Sequence, residues 1–266
     1  MAMVSMNFFV PSLNSPNLRP TKRYSGMAVA ASNQDAVALG VTVTQGEGNL
    51  PKLLLTSDHG SEAEIYLFGG CITSWKVPSG RDLLFVRPDA VFDKKKPISG
   101  GIPHCFPQFG PGLMQQVVLN TKSLSTELKV TNTDNKPFTF STALHSYFRA
   151  SITGVSVKGL KGCKTLNKDP DPKNPIEGRE ERDAITFPGF VDCIYLDASN
   201  EVHLDNGLGD VISIRNTNWS DAVLWNPHLQ MEACYKDFVC VENAKIGTIQ
   251  LEPEQSWIAK QHLSIA

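Results

Sequence analysis

Two ionisable residues stand where strand spacing should place ordinary packing. In "KPFTFSTALHSYFRA", residues 136–150, side chains alternate with period two. Phe138, Phe140, Leu144 and Phe148 fall on one face, with Thr142 and Ser146 among them; Thr139, Ser141, Ala143, His145 and Tyr147 fall on the other. The first face suits a core. The second is small and polar, with one imidazole in its middle. In "DFVCVEN", Phe238, Cys240 and Glu242 share a face, and Val239 and Val241 share its reverse. Asp192, in "FPGFVDCIYLD", has a similar standing. A carboxylate in such a strand is costly to bury unless it is hydrogen-bonded or faces a cleft. A histidine with one or two carboxylates is a workable general acid–base set. Each residue also has a bland reading. His145 could be a core histidine donating to a backbone carbonyl, and Glu242 a strand-end residue in solvent.

Other chemistries find little support. The sequence holds no P-loop, no G-x-G-x-x-G and no G-x-S-x-G elbow, and "DNGLGD" at 205–210 reads as a hairpin turn. The six cysteines form no C-x-x-C pair, which suits reduced, buried thiols. His104-Cys105 is too isolated for a zinc site, so neither a metal nor a cofactor is expected. The 266 residues are 41% hydrophobic with a net charge of −2, which argues against the basic stripe of a nucleic-acid binder. Lys94, Lys95 and Lys96 make a short basic run that reads as a solvated loop. No apolar segment approaches bilayer length. A monomer is the expected state.

The elements that must carry these residues are strands. "VALGVTVTQG" and "KLLLTS" read as a first hairpin. "EAEIYLFGGCITSWKV" alternates and is broken by Gly69-Gly70, a bulge or a close backbone approach. "DLLFV" reads as a short buried strand, and "SLSTELKVTNTDNKPFTFSTALHSYF" as two strands joined by a turn. "VSVKGLKG", "EVHLDN", "DVISIRNT", "DFVCVE" and "SWIAKQHLSI" continue the pattern, with one helical turn predicted in "WNPHLQMEACYKD". "NKDPDPKNPIEGREERD" reads as an exposed, charged loop. Many short strands without long helices predict an all-β antiparallel sandwich or barrel, in a single domain over 35–266.

Residues 1–34 differ from the rest. They contain no Asp or Glu, several serines, and Arg19, Lys22 and Arg23; Asp35 is the first acid. An acid-free, weakly basic leader is expected to be an organellar transit peptide, here of chloroplast type and cut near "MAVAAS". A disordered tail on a cytoplasmic protein is the alternative.

The words "GGCITSW", "GGIPHCFPQFG", "ALHSYF", "FVDCIY", "VLWNP", "FVCVEN" and "LEPEQSWIAKQHLSI", in this order, resemble the glucose-6-phosphate 1-epimerase family. These are the hexose-6-phosphate mutarotases, within the aldose-1-epimerase superfamily of large antiparallel β-sandwiches. The resemblance runs from about Val41 to the C-terminus and looks closest to plant members. It implies a cofactor-free isomerase working by proton transfer at the anomeric carbon of a hexose 6-phosphate. The family's histidine word places its catalytic histidine at His145, its C-[IV]-E word places its glutamate at Glu242, and its D-x-[IV]-Y word places a sugar-binding aspartate at Asp192. Glu242 as carboxylate would take the C1 hydroxyl proton while protonated His145 gives one to the ring oxygen. A nearby negative charge is expected to keep that histidine protonated. Trp225 and Tyr147 are candidate sugar platforms, with core packing as their alternative.

Two departures from the family pattern stand out. The family reads R-G-G-I-P, its arginine contacting phosphate; here "PISGGIP" puts Ser99 there, with Lys96 or Arg87 as possible substitutes. The family also continues its glutamine, here Gln116, into Q-H-G-[FL]-A-R. Here "GPGLMQQ" runs straight into "VVLNTKSL", so several strands are expected to be missing at the 116/117 junction. Such a loss would expose sheet edges or force a new pairing, and would weaken phosphate binding. Two functions therefore remain open: an epimerase, impaired or not, and a non-catalytic carbohydrate-binding or scaffold protein on the same fold. A glycoside hydrolase using Asp192 and Glu242 is a third.

Overall fold

The computed structural model describes residues 2–6, 40–106 and 114–265. Among them twenty strands, numbered in chain order, form three antiparallel sheets. A four-stranded sheet runs β2 (Val41–Gln45), β3 (Pro51–Thr56), β4 (Glu62–Tyr66), β5 (Cys71–Lys76). The back sheet runs β1 (Ala2–Met6), β7 (Met114–Leu119), β8 (Ser123–Thr131), β20 (Ser256–Ile265), β17 (Val211–Thr217), β16 (Glu201–Asp205), β11 (Ser156–Lys158), β14 (Ala184–Ile185). The front sheet runs β13 (Ile176–Arg179), β12 (Lys164–Asn167), β15 (Val191–Leu196), β18 (Asp221–Asn226), β19 (Phe238–Leu251), β9 (Phe138–Leu144), β6 (His104–Cys105), and β10 (Tyr147–Arg149) also pairs with β19. The expected all-β sandwich is the observed one. The helical turns are short 3-10 segments, two of them, His228–Met231 and Tyr235–Asp237, inside the predicted stretch. No helix among the described residues is long and apolar enough to cross a membrane.

Alternation decides which side chains meet between the sheets. In β8 the even positions Leu124, Leu128 and Val130 are buried, and in β20 Ala259 and Leu263. They pack with Phe140 and Leu144 of β9 and with Val239 and Val241 of β19 in one apolar core. Burial of such side chains contributes roughly 1.5–3 kcal/mol each and drives the layering. The opposite face of the front sheet is thereby left to the odd residues of β9 and the even residues of β19.

Several local expectations change. Gly69 and Gly70, at φ 73° and 60°, form the turn that separates β4 from β5, so "EAEIYLFGGCITSWKV" is two strands and not one bulged strand. "DLLFV" joins its neighbours only through isolated bridges. The strands β8 and β9 follow each other but pair in different sheets, because Asn132 turns the chain across by donating to Lys136 O and Leu251 O. Residues 2–6 form the edge strand β1 beside β7; residues 7–34, the rest of the stretch expected to be a leader, lie outside the described residues.

Candidate active site

His145 and Glu242 stand directly opposite each other. The β9/β19 register pairs Leu144 with Asn243, and the β10/β19 register pairs Tyr147 with Cys240, which sets His145 against Glu242 at the break between β9 and β10. His145 Nδ1 lies 3.3 Å from Glu242 Oε1. The atoms are within hydrogen-bonding distance but not in hydrogen-bonding alignment. The Glu242 side chain is 5% exposed and that of His145 20%. Glu242 is thus not the solvent-exposed strand end of the bland reading.

Aromatic rings wall the pair. Tyr147 stacks on His145 at 4.7 Å and 8°, and Trp225 meets its edge at 5.7 Å and 85°. Tyr147 is buried with Phe85, Phe238 and Cys240, whereas Trp225 is only partly covered. Trp225 is therefore the more accessible of the two rings, and Tyr147 backs the imidazole. On the far side Cys105, Ala143, Val223 and Ala244 make a small apolar patch.

Asp192 is two strands away on the same face, since Asp192 registers with Trp225 and Trp225 with Cys240. Lys168 Nζ binds it at 2.8 and 3.0 Å. Lys168 escaped the sequence reading because it opens the charged loop 167–183. Most of that segment is exposed, as expected, but it is not all loop: Asn167 ends β12, Ile176–Arg179 form β13 paired with it, and Lys168 folds onto β15 through its N–H to Asp192 O. The one available signal was its position just after an alternating strand.

Burial sets the protonation of the pair. Desolvation lowers the His145 pKa to about 4, helped by the Lys168 and Arg87 charges. Desolvation raises the Glu242 carboxyl well above its ordinary value, and the Asp192 charge adds to this. The expected protonated histidine facing a carboxylate is thereby corrected. Burial thus favours the neutral form of both groups, since neither charge is well solvated there.

The remaining candidates separate. Ser99 accepts the N–H of Arg87 at 3.0 Å through its carbonyl. This close approach needs glycine beside it: a Cβ at Gly100 or Gly101 would strike the backbone of Val86 or Ile72. Arg87 binds the Asp89 carboxylate with two nitrogens and reaches the Tyr147 hydroxyl. Lys96 is exposed on its loop, its N–H donating to Asp93. Gln116 is not brought to the site: its strand β7 pairs with β1 and β8 in the back sheet. Its side chain lies outside the described residues. Among those residues no cluster of His, Cys, Asp and Glu converges as metal ligands would.

Comparison with known proteins agrees with this architecture. The family model for aldose 1-epimerase matches residues 51–117 and 113–264. A protein of Cenchrus ciliaris named "Putative glucose-6-phosphate 1-epimerase" is 30% identical, with 81% of this chain and 84% of that protein covered. Its alignment spans 280 residues, more than this whole chain holds, so the relative carries residues with no counterpart here. A protein of the same name in Escherichia coli K12 is 26% identical over 74% of this chain and 84% of its own. Among solved structures, YeaD of Salmonella typhimurium superposes with a TM-score of 0.72 at 21% identity, covering 86% of this chain and 95% of its own. A galactose mutarotase-like protein of Clostridium acetobutylicum gives 0.66 at 14% identity, covering 86% and 98%.

Proposed function

The chain belongs to the aldose 1-epimerase family, and we propose that it interconverts the α and β anomers of a hexose 6-phosphate by opening and reclosing the ring. The observation that carries this is the His145–Glu242 pair, 3.3 Å apart on a sheet face walled by Trp225 and Tyr147. Ring opening needs one group that takes the C1 hydroxyl proton and one that gives a proton to the ring oxygen. A pair holding one proton meets that need in both directions. We place that proton on Glu242 before substrate arrives, since burial raises the proton affinity of the carboxyl and lowers that of the ring. A sugar hydroxyl donating to Glu242 stabilises its carboxylate, and a phosphate dianion stabilises imidazolium. Substrate thereby draws the proton across to His145. Glu242 then takes the C1 proton, His145 protonates the ring oxygen, C1–C2 rotates in the free aldehyde, and closure reverses both steps. Groups positioned in this way contribute roughly 10²–10⁴-fold.

Arg87 is our candidate for the phosphate. It adjoins Ser99, the position of the family's arginine, and its charge reaches His145. Its guanidinium can exchange Asp89, which is largely exposed, for a phosphate. We further propose a plastid location, supported by the acid-free leader; an intact Met1 on protein from plant tissue would overturn it.

A carbohydrate-binding role without catalysis is favoured by Ser99 and by the residues the relative carries beyond this chain. NMR exchange spectroscopy on glucose 6-phosphate separates the two. Faster α–β exchange with protein supports the epimerase. No acceleration from folded protein that still binds the sugar overturns it.

A further inference from the structure

The tail "SWIAKQHLSI" has no part in this chemistry, yet it sets one amide in the middle of the core. Gln261 of β20 is fully buried, between the apolar inward neighbours Ala259 and Leu263. Its Nε2 crosses to the front sheet and donates to Asn243 Oδ1 at 2.8 Å and to Ser146 Oγ at 3.3 Å. Both acceptors are buried, and both are chain neighbours of the reacting pair. Period two makes this obligatory: with His145 and Glu242 facing the cleft, Ser146 and Asn243 must face the core.

Burying an amide here costs desolvation that an apolar side chain would avoid, and Gln261 Oε1 has no hydrogen-bond partner. Net stability therefore does not account for it. Position does. The ladder fails just where His145 and Glu242 oppose each other: Val241 N–H donates to Ser146 O at 3.2 Å, but Ser146 N–H turns back to Leu144 O at 2.9 Å and His145 N–H goes to Pro103 O at 3.1 Å. Regular pairing resumes only at Tyr147. The interval is tied from behind by the Gln261 fork, one prong on each strand.

We propose that Gln261 is a positioning residue, holding Ser146 and Asn243 from the opposite sheet and so fixing the separation of His145 and Glu242. The inference rests on the catalytic reading of that pair. Gln261→Met keeps the volume and removes both donors. Leu263→Val, its apolar neighbour, serves as the structural control. In the anomer-exchange assay Gln261→Met should lower kcat by about tenfold or more with KM within about twofold. Leu263→Val should lower Tm but leave kcat unchanged. NMR titration of the His145 ring, which needs no turnover, should shift its midpoint by at least about half a pH unit in Gln261→Met alone. The proposal falls if folded Gln261→Met keeps the parent's His145 titration, or if Leu263→Val moves it equally. His145→Asn in the same assay separates the two ideas. If it is as active as the parent, the catalytic reading falls, while the ring titration still reports on the fork.

Discussion

Lys168 Nζ binds both carboxylate oxygens of Asp192, at 3.0 and 2.8 Å, two strands from Glu242 on the same sheet face. Its charge lowers the proton affinity of both His145 and Glu242. Lys168→Met removes that charge and leaves Asp192 unopposed. Both titrations of the pair then rise, so the whole bell-shaped pH–rate profile should move to higher pH, by about one unit. A profile that stays in place would remove Lys168 from the electrostatics of the site.

His145→Asn and Glu242→Gln each keep shape and remove the proton carrier. Either should slow anomer exchange by roughly 10²–10⁴-fold with the fold retained. Circular dichroism and exchange spectroscopy on the same samples check this. The two losses should not add, since one proton serves both residues.

The same pair makes stability depend on pH, with opposite signs. Unfolded His145 takes a proton below its ordinary 6.5, folded His145 only near 4. Between these values the unfolded chain binds more protons, so this residue's contribution falls as pH drops from 6.5 to 4. Glu242 is the reverse: above 4.5 the unfolded residue loses a proton that the folded one keeps, so stability falls as pH rises. Thermal melts across pH 4–8 should show His145→Asn losing less than the parent on the acid side. Glu242→Gln should gain most at the neutral end. A parallel offset at every pH would contradict the assignment.

Arg87 and Ser99 give a substrate test. Arg87→Met should raise KM for glucose 6-phosphate by roughly 10–100-fold, the worth of a charged hydrogen-bonded contact, and change the exchange of unphosphorylated glucose little. Ser99→Arg, which restores the family's residue beside Arg87, should lower KM. Equal effects on both sugars would place Arg87 outside phosphate recognition.

Alternation over 138–148 and 237–243 was enough to sort core from cleft, because a strand has only two faces and only one can be apolar. It put Leu144 on the face opposite His145 and Val241 on the face opposite Glu242, and the family's words marked the same histidine and glutamate. Pairing was not legible in the same way. Nothing local tells β9 that its partner is β19, about a hundred residues on, or that β8 belongs to the other sheet; that choice is made by which apolar faces can close on each other. Lys168 and Arg87 sit in loops without periodicity, so their approach to His145 exists only once β15 and the Ser99–Gly101 segment are packed. Protonation was decided last. The resemblance implied an imidazolium and a carboxylate, but burial raises the proton affinity of Glu242 and lowers that of His145. Gln261 shows the same division. Its sequence marks it only as a polar break in an apolar alternation; the opposite sheet alone reveals that it reaches Ser146 and Asn243, the chain neighbours of His145 and Glu242.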